Sequence, residues 1–130
     1  MTIFTKIINR EIAGHIIEED ENFAAFLDIM PLVKGHTLVV PKKETDYIFD
    51  MSDSALAAMM VFAKKIAIGI KRAIPCKRIG VTVIGLEVPH AHIHLIPINS
   101  MSDINFANPK LRPSQQELAE TATSIRNALA

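Results

Sequence analysis

Three histidines alternate strictly with apolar residues in His90-Ala91-His92-Ile93-His94-Leu95-Ile96. Two chemistries need imidazoles at that spacing. Alternate side chains of a strand share one face, so three neutral rings there could ligate a zinc ion together. The same row suits nucleophilic attack at phosphorus, in which a neutral imidazole takes a phosphoryl group onto a ring nitrogen. Its neighbours would then hydrogen-bond the phosphate oxygens and offset their developing charge. Rings so close titrate as a set, which keeps the cluster partly neutral at physiological pH. No further carboxylate or histidine stands nearby at strong ligand spacing, which weighs against the metal.

The intervening residues say what carries the rings. Ala91, Ile93 and Leu95 would occupy the other face of the strand and enter a core. A helix would scatter the three rings around its circumference, and a solvent-facing histidine run would show no such apolar partner face.

The remaining elements follow from periodicity. Residues 2–12 read as a short helix or turn with one buried side. His15–Glu19, Phe23–Asp28 and His36–Val40 read as strands, the last closed by Pro41, with a turn at residues 20–22 and a loop over residues 31–35. Ser52 or Asp53 can cap a long helix with Leu56, Met59, Met60, Ala63, Ile66, Ala67, Ile70 and Ile74 on its core stripe. Lys64, Lys65, Lys71 and Arg72 fall on its wet side, and Pro75 ends it. Arg78–Gly85 and Val88–Ile98 read as strands four and five. Residues 99–113 form a surface loop. Ser114 to Glu117 has capping-box spacing before a last helix bearing Leu118, Ala122, Ile125 and Leu129. The pattern predicts an α+β domain, an antiparallel sheet with helices on one side, spanning residues 1–130 as one unit.

Composition excludes several classes. With 49% apolar and 22% charged residues in 130, the chain can bury a core and is not disordered. Fourteen basic residues against fourteen acidic ones give zero formal net charge, which disfavours general nucleic-acid binding. The lone Cys76 permits no intramolecular disulfide and reads as an ordinary small side chain. With no apolar run long enough for a bilayer and no leader pattern, a soluble cytoplasmic protein is expected. His15 has no motif around it and reads as a surface strand residue.

The triad resembles the histidine-triad (HIT) signature of a family of nucleotide hydrolases and transferases. Further residues stand where that family has similar ones: Ile3-Phe4, Lys6-Ile7-Ile8, Ala25-Phe26-Leu27-Asp28-Ile29, Pro31, the run from Gly35-His36 to Lys43, and Val88-Pro89. The likeness covers a core of residues 3–98 and leaves residues 99–130 variable. It implies a HIT-like fold with a five-stranded antiparallel sheet, one long helix and a C-terminal helix. It implies that His92 is the nucleophile, with His90, His94 and His36 orienting it and holding the phosphate. Asp28 would accept hydrogen bonds from ribose hydroxyls, and Phe4, Ile7, Phe26, Ile29 and Leu38 would form the slot for the base. Each of these five apolar residues also fits plain core, and Asp28 also fits a turn that ends its strand.

The resemblance further implies hydrolysis at the α-phosphorus of a purine nucleotide conjugate, a phosphoramidate or a dinucleoside polyphosphate, through a nucleotidyl-histidine intermediate, with no cofactor. A two-fold dimer is implied too, and Met60, Val61, Phe62 and Ile68 on the long helix exceed one core stripe. The chain departs from the family pattern twice. Many bacterial members carry two cysteines and a histidine for a structural zinc where this chain has Thr2, Thr5 and Glu44, so no metal is expected. The loop before the triad is short, and Leu86 stands where a glutamine is usual, which favours a non-catalytic nucleotide-binding or signalling module as the second reading. A metalloprotein using the triad as ligands is the third.

Overall fold

Two hydrophobic clusters, one on each face of a single sheet, organise the fold. The structure is a computed structural model that describes residues 1–129. Its elements are α1 (Ile3–Ile8), β1 (Ile16–Glu19), β2 (Phe23–Leu27), β3 (Thr37–Pro41), α2 (Asp53–Ala73), β4 (Arg78–Thr82), β5 (Ile93–Ile98) and α3 (Gln115–Leu129). Single 3-10 turns at Ile48–Asp50 and Met101–Ile104 were not expected from the sequence. The strands are antiparallel throughout, in the order β1-β2-β3-β5-β4. The expected α+β fold with five antiparallel strands, a long helix and a C-terminal helix is what the structure has.

Strand alternation sorts the side chains. Ala25, Leu27, Val39, Ile93 and Leu95 face one way, onto Met59, Ile66 and Ile70 of α2 and Leu118, Ala122 and Ile125 of α3. Ala24, Phe26, Leu38 and Val40 face the other way and meet Phe4, Ile7 and Ile8 of α1. Helices therefore cover both faces, not one as the sequence suggested. Burial on both faces explains why β2 and β3 read as nearly unbroken apolar runs. Ile66 and Ile70 have no exposed surface, so truncating either to alanine should cost about 2–5 kcal/mol.

Local signals set the helix ends. Ser52, not Asp53, caps α2, its Oγ accepting from Ala55 N–H at 3.2 Å. Ser114 and Glu117 form the expected capping box, with both bonds at 3.1 Å. On α2, Met60 is 48% exposed and leaves the core stripe, whereas Phe62 is buried against Phe23 at a ring separation of 5.8 Å.

The fifth strand is shorter than its alternation predicts. Its ladder to β3 begins at Ile93, paired with Val39. Continued in that register, the ladder would join His92 to Val40 and then Ala91 to Pro41, and proline has no N–H to give. Pro41 also spends its carbonyl on the His90 side chain, and Ala91 N–H turns to Thr45 O at 2.6 Å. Strand four likewise stops at Thr82, opposite His94 and one residue from the start of β5, and Gly85 (φ +77°) turns the chain.

Candidate functional site

His94 is the one triad residue inside the ladder, in a row across the sheet that reads Phe26, Leu38, His94, Thr82. His90 and His92 precede it in extended chain, and the alternation survives. Ala91 enters the core beneath α2, while the three histidines lie on the opposite face, His90 and His92 beside Phe4. All three are buried, with ring centroids of His92 and His94 4.8 Å apart. His36 joins them from the head of β3, delivered by a turn at Gly35 (φ +91°). A Cβ on Gly35 would come within 3.1 Å of Ile74 and 3.2 Å of Pro97. Only glycine combines that backbone with that space.

Hydrogen-bond partners fix the protons. Leu32 N–H donates to His36 Nδ1 at 3.0 Å, so a neutral His36 carries its proton on Nε2. That proton goes to His94 Nδ1, 2.9 Å away, which leaves the His94 proton on Nε2. Burial pushes the His36 ring down to about 3 and the His94 ring to about 4, so both are neutral near pH 7. His92 Nδ1–H donates to the His90 carbonyl at 2.7 Å, so a neutral His92 carries its lone pair on Nε2. Neither His92 Nε2 nor His94 Nε2 has a protein partner among the described residues. Since no buried side-chain nitrogen lacks one, both open outward.

His90 is held from two sides. Its Nε2–H donates to Pro41 O at 2.7 Å, and Thr2 Oγ1 lies 2.7 Å from its Nδ1. Thr2 Oγ1 accepts from Thr5 N–H at 3.2 Å, leaving its own proton for His90. Glu44 gathers the rest, accepting from Thr2 N–H at 2.5 Å and from the Thr5 hydroxyl at 2.6 Å. The Thr5 hydroxyl bond holds its carboxyl below the ordinary range. The three residues expected at the family's zinc position thus meet beside His90. They do not fit that metal, because hydroxyls and one exposed carboxylate cannot replace thiolates.

A second possible ion-binding group is Asp28, His36 and His94, whose ligand atoms lie within 4.8 Å of one another. His36 could ligate through Nε2 only by losing that proton and accepting one at Nδ1, against Leu32 N–H. The proton pattern of these rings therefore opposes a metal there.

The expected nucleotide contacts fall in two sets. Phe4, Ile7, Phe26 and Leu38 are buried in one cluster, with the Phe4 ring 5.0 Å from His92 and 5.5 Å from Phe26. Ile29 is 53% exposed and outside it. Asp28 serves its turn through Oδ1, which accepts from Met30 N–H at 2.9 Å, while Oδ2 lies 3.8 Å from His36 Nε2. Burial raises the Asp28 carboxyl above its ordinary value. Leu86 is 88% exposed and presents no donor to the histidines. His15 bonds Gln115 Oε1 at 2.8 Å at the surface, and Cys76 is a free thiol.

Two residues beside the site escaped the sequence reading. Phe106, from the segment after β5, sets its ring edge-on to His94 at 4.9 Å, and Lys110 lies over that ring. A lone aromatic residue in a stretch of Asn, Ser, Asp and Pro was the available signal.

The HIT domain model matches residues 9–101. The chain belongs to the HIT family. An uncharacterized HIT-like protein of Methanocaldococcus jannaschii is 43% identical over 108 residues, covering 75% of this chain and 78% of the relative. A HIT-like protein of Bartonella henselae, described as involved in cell-cycle regulation and solved with an unknown ligand, superposes with TM-score 0.84. It is 32% identical and is matched over 98% of this chain and 95% of its own. A hypothetical histidine triad nucleotide-binding protein of Sulfolobus tokodaii gives TM-score 0.83 at 30% identity, over 97% and 90% of the two chains. The cluster of His36, His90, His92 and His94 lies within the matched residues. No described helix is long and apolar enough to cross a membrane.

Proposed function

We propose that this HIT protein hydrolyses a purine nucleoside phosphoryl compound at its α-phosphorus, through a nucleotidyl group carried on His92. One observation carries the reading. His92 Nδ1–H donates to the His90 carbonyl, so that the neutral ring presents its Nε2 lone pair as the nucleophile, beside the donor His94 Nε2–H. In the first step the Nε2 lone pair bonds to phosphorus, and the leaving group departs with its bonding pair and takes a proton from water. In the second, water attacks phosphorus, the P–N pair returns to Nε2, and the surplus proton is released. His94 Nε2–H stabilises the phosphoryl oxygens in both steps.

The apolar cluster of Phe4, Ile7, Phe26 and Leu38 is suited to a base, with the half-exposed Ile29 at its rim. Asp28 Oδ2, which no backbone N–H occupies, suits ribose hydroxyls. The nucleotide-binding description of the Sulfolobus relative agrees with this ligand class. No metal or cofactor enters the reaction. Phosphoramidates and dinucleoside polyphosphates are both within its chemistry.

A two-fold dimer is part of the proposal. Met60, Val61 and Ile68 are exposed on α2, and Val81 is exposed on β4, one of the two edge strands of the sheet. Exposed apolar side chains and an open strand edge each favour burial against a second copy.

The exposed Leu86 favours one other reading, a module that binds nucleotide without turnover. Intact mass after mixing with adenosine phosphoramidate separates the two. An adenylyl adduct located on His92 supports hydrolysis, and bound nucleotide without adduct or turnover supports the module.

A further inference from the structure

The segment between β5 and α3 forms one wall of the histidine site. Its 3-10 turn, Met101–Ile104, lies close on the sheet. A Cβ on Gly80 of β4 would come within 2.8 Å of Ile104 Cδ1, so glycine there lets the turn approach. The chain then carries the Phe106 ring to 4.9 Å from His94 and 6.1 Å from His36. At its far end Leu111 N–H donates to Pro31 O at 2.9 Å, tying the segment to the loop that follows Asp28.

Lys110 is held between these anchors. Its Nζ stands 5.0 Å from the centroid of the Phe106 ring and donates to Phe106 O at 3.2 Å. Its remaining protons have no carboxylate within 4.0 Å among the described residues. The ammonium is nevertheless half-buried and close enough to act on its neighbours. It helps to keep the His36 and His94 rings neutral and lowers the Asp28 carboxyl against the effect of burial. A half-buried cation with spare donors, over the ring that packs against His94, is equipped to hold an anion there. The side chains of the loop before the triad, residues 83–89, include no cation and no hydrogen-bond donor.

We infer that Lys110 binds the phosphoryl anion of the ligand, so that the C-terminal segment completes the site. The inference rests on the nucleotide reading above and adds to it the group that holds the ligand's charge.

Calorimetric titration of the native protein and of Lys110→Met and Lys110→Arg with adenosine and with AMP tests it. Met keeps an unbranched stem over Phe106 and removes the charge. AMP affinity should fall about tenfold in Lys110→Met and be retained in Lys110→Arg, with adenosine affinity unchanged in both. AMP affinity of the native protein should also weaken with added salt more steeply than that of Lys110→Met, a comparison within each folded protein. Equal losses for adenosine and AMP would overturn the assignment in favour of a wall residue or a partner of Asp28. Unchanged AMP affinity in Lys110→Met would overturn it as well. A native protein that binds neither ligand would overturn this assignment and the nucleotide reading together.

Discussion

His36 Nε2 lies 2.9 Å from His94 Nδ1, and Leu32 N–H occupies the other nitrogen of the His36 ring. This pair settles the proton on each ring without any ligand. It also makes charging either ring unfavourable, since His36 would have to accept a proton where a backbone N–H already points.

Stability should therefore depend on pH in a stated direction. Both rings are held by burial below the ordinary histidine value of 6.5, at about 3 for His36 and about 4 for His94. Between those values and 6.5 the unfolded chain binds more protons than the folded one, so stability rises with pH there. It is full above about 6.5 and is lost as pH falls toward 4. Asp28, raised by burial, acts with the opposite sign in the acid range. Thermal melts from pH 7 to pH 5 should show a falling midpoint, and a flat or rising one would contradict the neutral pair.

The Thr2 contact to His90 gives a second prediction. Thr2→Val removes the hydroxyl that meets the buried Nδ1 at 2.7 Å and leaves that nitrogen unpaired. The cost should be about 1–3 kcal/mol, read from denaturant melts, with Thr2→Ser close to native. EDTA should leave the native melting temperature unchanged. A drop that zinc restores would place a structural metal in this network.

Much of this site was legible in the sequence because it is built on alternation. The row His90, His92, His94 predicted a shared face, and the apolar residues between them predicted the core beneath α2. The likeness of Gly35-His36 to the family placed His36, and the turn at Gly35 explains why. The strand limits were not legible, because where β5 starts depends on Pro41 across the sheet. Phe106 and Lys110 were hidden for a similar reason: no periodicity marks a loop that folds back over a distant strand. Ile29 looked like its neighbour Phe26 in type, but follows the strand end and turns outward. A short helix or turn over residues 2–12 was expected, but not its place on the second face, because α1 is short and its apolar residues could pack on either side.

The exposed α2 and β4 side chains give a third prediction. Light scattering at micromolar concentration should return twice the mass of one chain, and Val81→Lys should shift it toward the monomer. A native protein of single-chain mass would remove the dimer from the account.

The nucleophile assignment predicts an unequal effect across the triad. His92→Asn should lower turnover by roughly four orders of magnitude or more, with little change in nucleotide affinity, since the other contacts remain. Equal, modest losses for His90→Asn, His92→Asn and His94→Asn would instead fit a shared ligand role.

The most direct measurement is intact mass of native protein and of His92→Asn after rapid mixing with adenosine phosphoramidate, followed by peptide mapping. The account predicts an adenylyl adduct on His92 in the native protein and none in the variant. An adduct on another residue, or a His92→Asn protein that still turns over at the native rate, would contradict it.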